Sequence, residues 1–226
     1  MDKLLSNIKI QIPEGVYLKD PESSTLGKKI LEKSIEMIAE IGFEEFNFKK
    51  LGLAISSNES SIYRYFENKH MLLIYLVSWY WGWIEYKLVI ETFSIKETNA
   101  KLLKAINIIT GTITNDGKFE HINEVLLNQI VIHENPKSYL TKEVDSENVK
   151  GFFLPFKRVV LRLSEIISEG KPEYKFPESL ASTIVEGSIH QHYSRLHLKS
   201  ITSCNNSATV NDFFIDLILK VIGNEK

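Results

Sequence analysis

Residues 42–70, GFEEFNFKKLGLAISSNESSIYRYFENKH, decide the fold of this chain. Two short amphipathic segments flank the polar stretch SSNES, whose Ser and Asn side chains favour helix caps over helix interiors. Asn58 stands where a side-chain oxygen can accept the first N–H groups of a new helix. In that helix Ile62 lies on one side, and Glu59 and Arg64 lie towards the other. The stretch therefore predicts a helix, a turn and a second helix with a polar outer surface, as in a helix-turn-helix DNA reader.

The bulk composition is that of a soluble globular protein, with 43% apolar and 25% charged residues among 226. The formal net charge is −2, so binding to nucleic acid has to come from a local patch. A single cysteine, Cys204, excludes an intrachain disulfide and fits a reducing compartment. The N-terminus lacks the apolar core of a signal peptide, and the longest apolar run, 71–84, is too short to span a bilayer. We therefore expect a cytoplasmic protein without membrane segments.

The regions on either side of the opening stretch are also predicted from their residue patterns. Residues 1–23 are broken by Pro and Gly and are expected to form an extended N-terminal arm. Ser23, Ser24 and Thr25 offer N-caps for a helix with a buried apolar stripe that runs to about residue 41, and Gly42 ends it where a positive φ is needed. Asn47 is expected to cap the next short helix, whose inward residues are Phe48, Leu51 and Ile55.

The rest of the chain has the periodicity of helices throughout. A long helix is predicted from about residue 68 to 91, apolar almost all round and therefore buried on several sides, joining the head to the body. Five further segments are predicted as helices, punctuated by Pro136, Pro155 and short polar turns: 96–114, 119–133, 144–169, 177–199 and 208–223. Pro155 is expected to kink or start the third of these five helices. The predicted fold class is all-α with about nine helices.

The opening stretch resembles the head of TetR-family transcriptional regulators. The resemblance is carried by its spacing, without insertion: Gly42, Asn47, Leu51-Gly52, Ser56-Ser57-Asn58, the run IYRYF at 62–66, and Lys69. It covers residues 24–72, and the remainder agrees in length and helical character. The resemblance implies an N-terminal arm (1–23), a three-helix DNA-binding domain (24–70) and a ligand-binding and dimerisation domain (71–226).

The resemblance also implies which side chains contact DNA. Phosphate contacts are expected from Asn47, Tyr63, Tyr65 and Lys69, with added charge from Lys49 and Lys50. Base contacts are expected from Glu59, Ser60, Ser61 and Arg64, beside the capping Asn58. The alternative is that the two tyrosines only pack the head and that Lys69 is a solvated helix-start lysine. Ile55-Ser56 replaces the usual Ala-Gly of the family, and the head is neutral, with seven Lys or Arg against seven Glu over 24–70.

In the body, the resemblance places the homodimer interface on the last two helices. The first of them carries close-approach residues, and the second carries an apolar stripe: Leu180, Ala181, Ile184, Gly187 and Ser188, then Val210, Phe213, Phe214, Leu217, Ile218 and Val221. The alternative is that this stripe closes the core of its own chain.

Aromatic side chains suggest a pocket for an apolar or aromatic ligand, because aromatic walls bind such molecules well. The predicted ligand-binding residues are Trp79, Trp83, Tyr86, Phe152, Phe153, Phe156 and His190. The alternative is that these aromatic residues are plain core. His190 and His192 point about 200° apart on a helix and cannot share an ion as helical neighbours. No metal site, cofactor motif or catalytic signature is present in the sequence, so an enzyme is not expected.

The predicted function is a ligand-responsive DNA-binding regulator, acting as a repressor. It is expected to bind a near-palindromic operator as a homodimer and to release it when a ligand shifts the long helix. The alternative is a helical module that binds a small molecule or a protein and whose head does not bind DNA.

Overall fold

The computed structural model describes residues 10–114, 119–205 and 209–223. Within these ranges it contains ten α-helices, two short 3₁₀ helices (Pro21–Ser23 and Lys199–Ile201) and no strand, which confirms the predicted all-α fold. The helices are α1 (Thr25–Glu45), α2 (Phe48–Ala54), α3 (Glu59–Tyr63), α4 (Lys69–Thr92), α5 (Thr98–Thr110), α6 (Glu124–Tyr139), α7 (Val144–Val149), α8 (Leu154–Gly170), α9 (Pro177–His197) and α10 (Val210–Ile222). No helix in the described ranges is both long and apolar enough to cross a membrane.

The chain divides into two compact units. Unit 1 comprises Met1–Gly82 and Ile113–Pro155, and unit 2 comprises Trp83–Thr112 and Phe156–Lys226. The division falls inside α4, whereas the predicted domain boundary lies after residue 70. The predicted domains stay a prediction.

In unit 1, α1 contributes one apolar face to the hydrophobic core. Ser24 is the cap among the three candidates: its side chain accepts the Gly27 N–H at 3.1 Å. The apolar stripe is fully buried at Ile30, Leu31, Ile35 and Ile38 and lies against α2, α6 and the 3₁₀ helix Pro21–Ser23. The arm is not helical over residues 10–20, as predicted, and Val16 buries its side chain.

Gly42 breaks α1 before its last turn. Its φ of +75° and ψ of 161° are available at little cost to glycine alone, so the prediction of a positive φ at this position is confirmed. One further turn follows, up to Glu45, and Phe46 lies buried beneath it. The break redirects the chain towards α2.

Two proline predictions have different outcomes. Pro155 lies in the first turn of α8, where its missing N–H costs nothing, so that the predicted helix 144–169 is divided into α7 and α8. The predicted end of a helix before Pro136 is wrong, because α6 runs on to Tyr139. Asn135 and Ser138 are buried on either side of Pro136, and packing of this turn outweighs the one lost backbone hydrogen bond.

Unit 2 packs α10 against α5 and α9. Thr209 and Asp212 form a reciprocal capping box at the start of α10. His192 on α9 lies 2.9 Å from the Thr110 carbonyl oxygen at the end of α5. Glu85 receives the Nε–H groups of Arg158 at 2.6 Å and Arg162 at 2.9 Å, and so ties the end of α4 to α8.

Candidate nucleic-acid interface

The helices α2 and α3 form a helix-turn-helix whose two caps are the predicted asparagines. Asn47 accepts the Lys50 N–H at 2.9 Å, and Asn58 accepts the Ser61 N–H at 2.8 Å. A side chain at Gly52 would lie 3.2 Å from backbone atoms of the turn and of the start of α3. Gly52 therefore lets the two helices approach closely.

The turn between the helices contains the one non-glycine residue with positive φ in the described chain. Ser56 has a φ of +54°, at the position where the resembling family has glycine. A left-handed conformation costs an L-residue about 1–2 kcal/mol relative to glycine. The Ser57 N–H donates to the Gly52 carbonyl at 2.8 Å and closes the turn around that residue. The turn keeps its shape at the expense of backbone strain.

The outer surface of the motif is polar and accessible. Ser60, Tyr63 and Arg64 of the second helix segment are exposed or half-buried, and Lys49 on α2 is exposed. Lys49 and Arg64 make no ion pair with any residue that the structure describes, so both charges are available to a partner. The inner surface is closed by Phe48 and by Ile62, which is fully buried.

Three of the residues predicted to contact DNA form hydrogen bonds within the head: Lys50, Asn58 and Ser61. The Ser61 hydroxyl donates to Asn58 Oδ1 at 2.7 Å, so this pair completes the cap of α3. Lys50 Nζ donates to the Glu45 carbonyl at 2.7 Å. These bonds reduce what the three side chains can offer to DNA, and their roles there stay predictions.

Tyr65 and Lys69, two of the predicted phosphate contacts, are engaged within the head. Tyr65 is only 3% exposed, and its hydroxyl is 2.8 Å from Ser24 Oγ, because its ring turns inward against the start of α1. Lys69 Nζ donates to the carbonyls of Phe43, Glu44 and Phe46 at 3.0, 3.1 and 3.2 Å. All three of its donors are used, so Lys69 caps the end of α1. These contacts favour the packing alternative for Tyr65 and give Lys69 a capping role, and both phosphate contacts stay predictions.

A second side chain, not predicted from the sequence, also holds residues 43–46, the last turn of α1 with its C-cap. We call this segment after Gly42 the joint. Glu134 of α6 is buried, and its Oε1 accepts the Phe43 N–H at 3.1 Å, directly after the break at Gly42. Lys137 lies 2.8 Å from both Glu134 Oε2 and Glu44 Oε1, and its hydrogen bond and charge lower the pKa of Glu44. A cavity of about 160 Å³ adjoins the joint. No local pattern signals Glu134, because its partner is 91 residues away.

The seven predicted ligand-binding residues divide between the two units. Trp79, Phe152 and Phe153 belong to unit 1, whereas Trp83, Tyr86, Phe156 and His190 belong to unit 2. Trp79, Trp83 and Phe152 are buried, with Trp79 packed edge-on against Phe119 at 4.8 Å, and His190 is exposed. None of the seven lines the cavity beside Glu134 or the cleft of about 200 Å³ in unit 2 that is bounded by Leu88, Phe93 and Ile166. A common pocket for them stays a prediction.

The residues predicted to form the dimer interface fall into two groups, one buried and one at least partly exposed. Most of them are buried within unit 2 itself, as in the alternative of a closed core: Leu180, Ala181, Ile184, Ser188, Val210, Phe214 and Ile218. Phe213 is 42% exposed, and Leu217 and Val221 are half-buried. These three residues are the part of the stripe that remains for a second copy.

The fold can be compared with known proteins. No protein-family model matches the sequence, and neither does any curated protein. Solved structures do match: AibR in complex with isovaleryl coenzyme A and operator DNA is 17% identical, over 88% of this chain and 100% of that one, with a TM-score of 0.54. The TetR-family regulator PfmR from Thermus thermophilus is 14% identical, over 90% and 98% of the two chains, with a TM-score of 0.57.

A third match is a protein of another kind. The superantigen PfiT is 14% identical, over 92% of this chain and 100% of that one, with a TM-score of 0.59. At such identities the likeness concerns the fold, which hosts more than one function. None of these three proteins is named as an enzyme. The chain therefore has the fold of the TetR family of transcriptional regulators.

Proposed function

We propose that this protein is a DNA-binding transcriptional regulator that responds to a small molecule. The observation that carries the proposal is the helix-turn-helix at 48–63, whose outer surface presents Ser60 together with Lys49 and Arg64, both free of ion pairs within the described chain. Arg64 suits the O6 and N7 atoms of guanine, and Lys49 suits phosphate. AibR, which shares the fold, was solved on operator DNA.

We infer that two copies act together as a repressor. The neutral head offers few phosphate contacts, and specific affinities of about 10⁻⁸ M or tighter need more of them than one head supplies. A homodimer through α9 and α10 would address a near-palindrome with half-sites about one helical turn apart. Phe213 provides exposed apolar surface for that contact. Sedimentation velocity tests it: Phe213→Glu should turn a dimer into a folded monomer, and a wild-type monomer refutes the homodimer.

We infer that the ligand is a small apolar or aromatic molecule held by the body. AibR, which shares the fold, was solved with isovaleryl coenzyme A, whose acyl group is small and apolar. A ligand that prefers one conformation of the body shifts the population towards it. Isovaleryl coenzyme A is the first probe: it should raise the melting temperature and weaken operator binding together.

Selection from a random pool of double-stranded DNA tests the proposed function. The wild-type protein should enrich a near-palindromic motif. Arg64→Ala should weaken binding to that motif by about 1–3 kcal/mol and relax one position of it. Lys175→Ala removes one exposed positive charge from unit 2 and serves as the matched control, with binding unchanged.

The alternative function is a helical binding module without DNA affinity. The equal numbers of acidic and basic residues over 24–70 and the existence of a superantigen with this fold favour it. The same selection separates the two functions. Failure to enrich any sequence, with and without isovaleryl coenzyme A, refutes the regulator and leaves the binding module.

A further inference from the structure

Glu59 and Tyr63 form a connected pair on the outer surface of α3. The two residues are four apart, and the Tyr63 hydroxyl donates to Glu59 Oε1 at 3.3 Å. The Tyr63 ring is fixed in turn by an edge-on contact with the buried Phe48, with centroids 5.1 Å apart. The carboxylate of Glu59 is thus tied through Tyr63 to the core of the head.

The hydroxyl of Tyr63 acts here as a donor to an anion. Partial desolvation of the hydroxyl and the adjacent Glu59 carboxylate raise the pKa of Tyr63, and a tyrosine hydroxyl already keeps its proton at neutral pH. While it donates to Glu59, the hydroxyl cannot also donate its single proton to a phosphate. The predicted phosphate contact of Tyr63 therefore competes with a bond already present in the structure.

A carboxylate on this surface can favour one base edge in the major groove. Guanine presents only acceptors there, and these repel the Glu59 carboxylate. Thymine presents an acceptor and a methyl group, so it offers the carboxylate no hydrogen-bond donor. Adenine sets its N6 donor beside the N7 acceptor, which repels the second carboxylate oxygen. Cytosine offers the N4 amino group as a donor without an adjacent acceptor of its own. The chemistry of Glu59 thus selects cytosine.

We propose that Glu59 determines specificity for a cytosine in each half-site and that Tyr63 is the positioning residue that orients its carboxylate. This inference rests on the proposed function and deepens it. It also accounts for an acidic residue on a surface that approaches phosphates. The carboxylate is repelled by the phosphates and so lowers the affinity for DNA of any sequence. This loss is smallest where the N4 amino group of a cytosine donates a hydrogen bond to the carboxylate.

The test compares the motifs enriched by the wild type, Glu59→Gln and a control. The wild-type motif should contain a cytosine preferred over other bases by about fivefold to tenfold, the low end for a good contact because one oxygen is shared with Tyr63. Glu59→Gln should change that single position to adenine, since Gln pairs with N6 and N7. Glu67→Gln makes the same chemical change at an exposed residue nearby and should leave the motif unchanged.

Tyr63→Phe tests the positioning role separately, because it retains the ring contact with Phe48. The discrimination for cytosine should fall about twofold to threefold, with little change for non-specific DNA. Equal weakening on all sequences would make Tyr63 a phosphate contact, and no change would make it a packing residue. Either result overturns the positioning role.

The outcomes for Glu59 distinguish its specificity role from the proposed function itself. If the wild type enriches a motif that Glu59→Gln leaves unaltered, the specificity role is wrong and the regulator stands. If the wild type enriches no sequence, the proposed function fails and this inference fails with it.

Discussion

Substituting Lys69 by Met tests whether this residue holds the head together. The substitution keeps most of the aliphatic stem and removes the ammonium group that donates to three carbonyls. It also removes the contact of the ammonium with the Phe43 ring, 4.8 Å from the ring centroid. We expect the end of α1 to lose its cap while the hydrophobic core stays intact.

The expected loss of stability depends on how exposed each carbonyl group bonded by Lys69 is. The bond to the Glu44 carbonyl is exposed, so water replaces the lysine there at little cost. The bonds to the Phe43 and Phe46 carbonyls are partly buried and contribute about 1–1.5 kcal/mol each with a charged donor. With about 0.5–1 kcal/mol from the cation–π contact, the free energy of unfolding of unit 1 should fall by about 2.5–4 kcal/mol. For a chain of this size that corresponds to about 5–15 °C in melting temperature.

Urea unfolding combined with amide hydrogen exchange measures this effect globally and locally. Exchange should accelerate in α1 after Gly42 and at the start of α2. Lys49→Met is the matched control, since Lys49 is exposed and has no ion pair in the described chain, and it should change stability by less than about 0.5 kcal/mol. Equal stability of Lys69→Met and wild type, with DNA binding lost in the former, would refute the capping role and restore the phosphate contact.

Three further substitutions test other parts of the structure. Gly27→Ala places a Cβ 2.2 Å from the Pro21 carbonyl oxygen, so unfolding in urea should show a loss of about 2–3 kcal/mol, and a neutral effect would contradict the tight packing of the 3₁₀ helix on α1. Ser56→Gly relieves the positive φ, and after the entropy cost of glycine it should gain about 0.5–1 kcal/mol, whereas Ser57→Gly should lose stability. Burial lowers the pKa of His192, with a nearby positive charge adding to the shift and a backbone hydrogen bond opposing it. The folded state therefore binds this proton less readily than the unfolded chain, and wild-type stability should decline as pH falls below 6.5, less steeply in His192→Gln in thermal melts.

The sequence was most informative where local chemistry determines structure. The caps at Asn47 and Asn58 and the break at Gly42 follow from the chemistry of single residues, and the structure has all three. The long buried helix follows from apolar residues on every side. These features depend on neighbours within four positions along the chain, which the sequence displays directly.

The sequence was least informative where the contact that determines a side chain's position lies far away along the chain. Tyr65 and Lys69 match the family pattern, yet the first bonds to Ser24, 41 residues away, and the second to carbonyls more than 20 residues away. Pro136 illustrates the same limit, since tertiary packing keeps α6 helical against a local signal. The candidate interface therefore stays a prediction, and the roles of individual residues on it depend on contacts that no local pattern reveals.

The joint after Gly42 has a consequence for how the protein is made. Its carbonyl groups are satisfied by Lys69 and its N–H by Glu134, and Glu134 is translated long after α1 has left the ribosome's active centre. A nascent chain ending soon after α3 therefore carries the whole recognition sequence without the groups that fix its direction. A fusion carrying only residues 24–70 would keep Lys69 and lack Glu134, so we expect it to leave the Phe43 N–H without its partner. During synthesis we expect the head to reach its final geometry only after α6, which carries Glu134, has been translated.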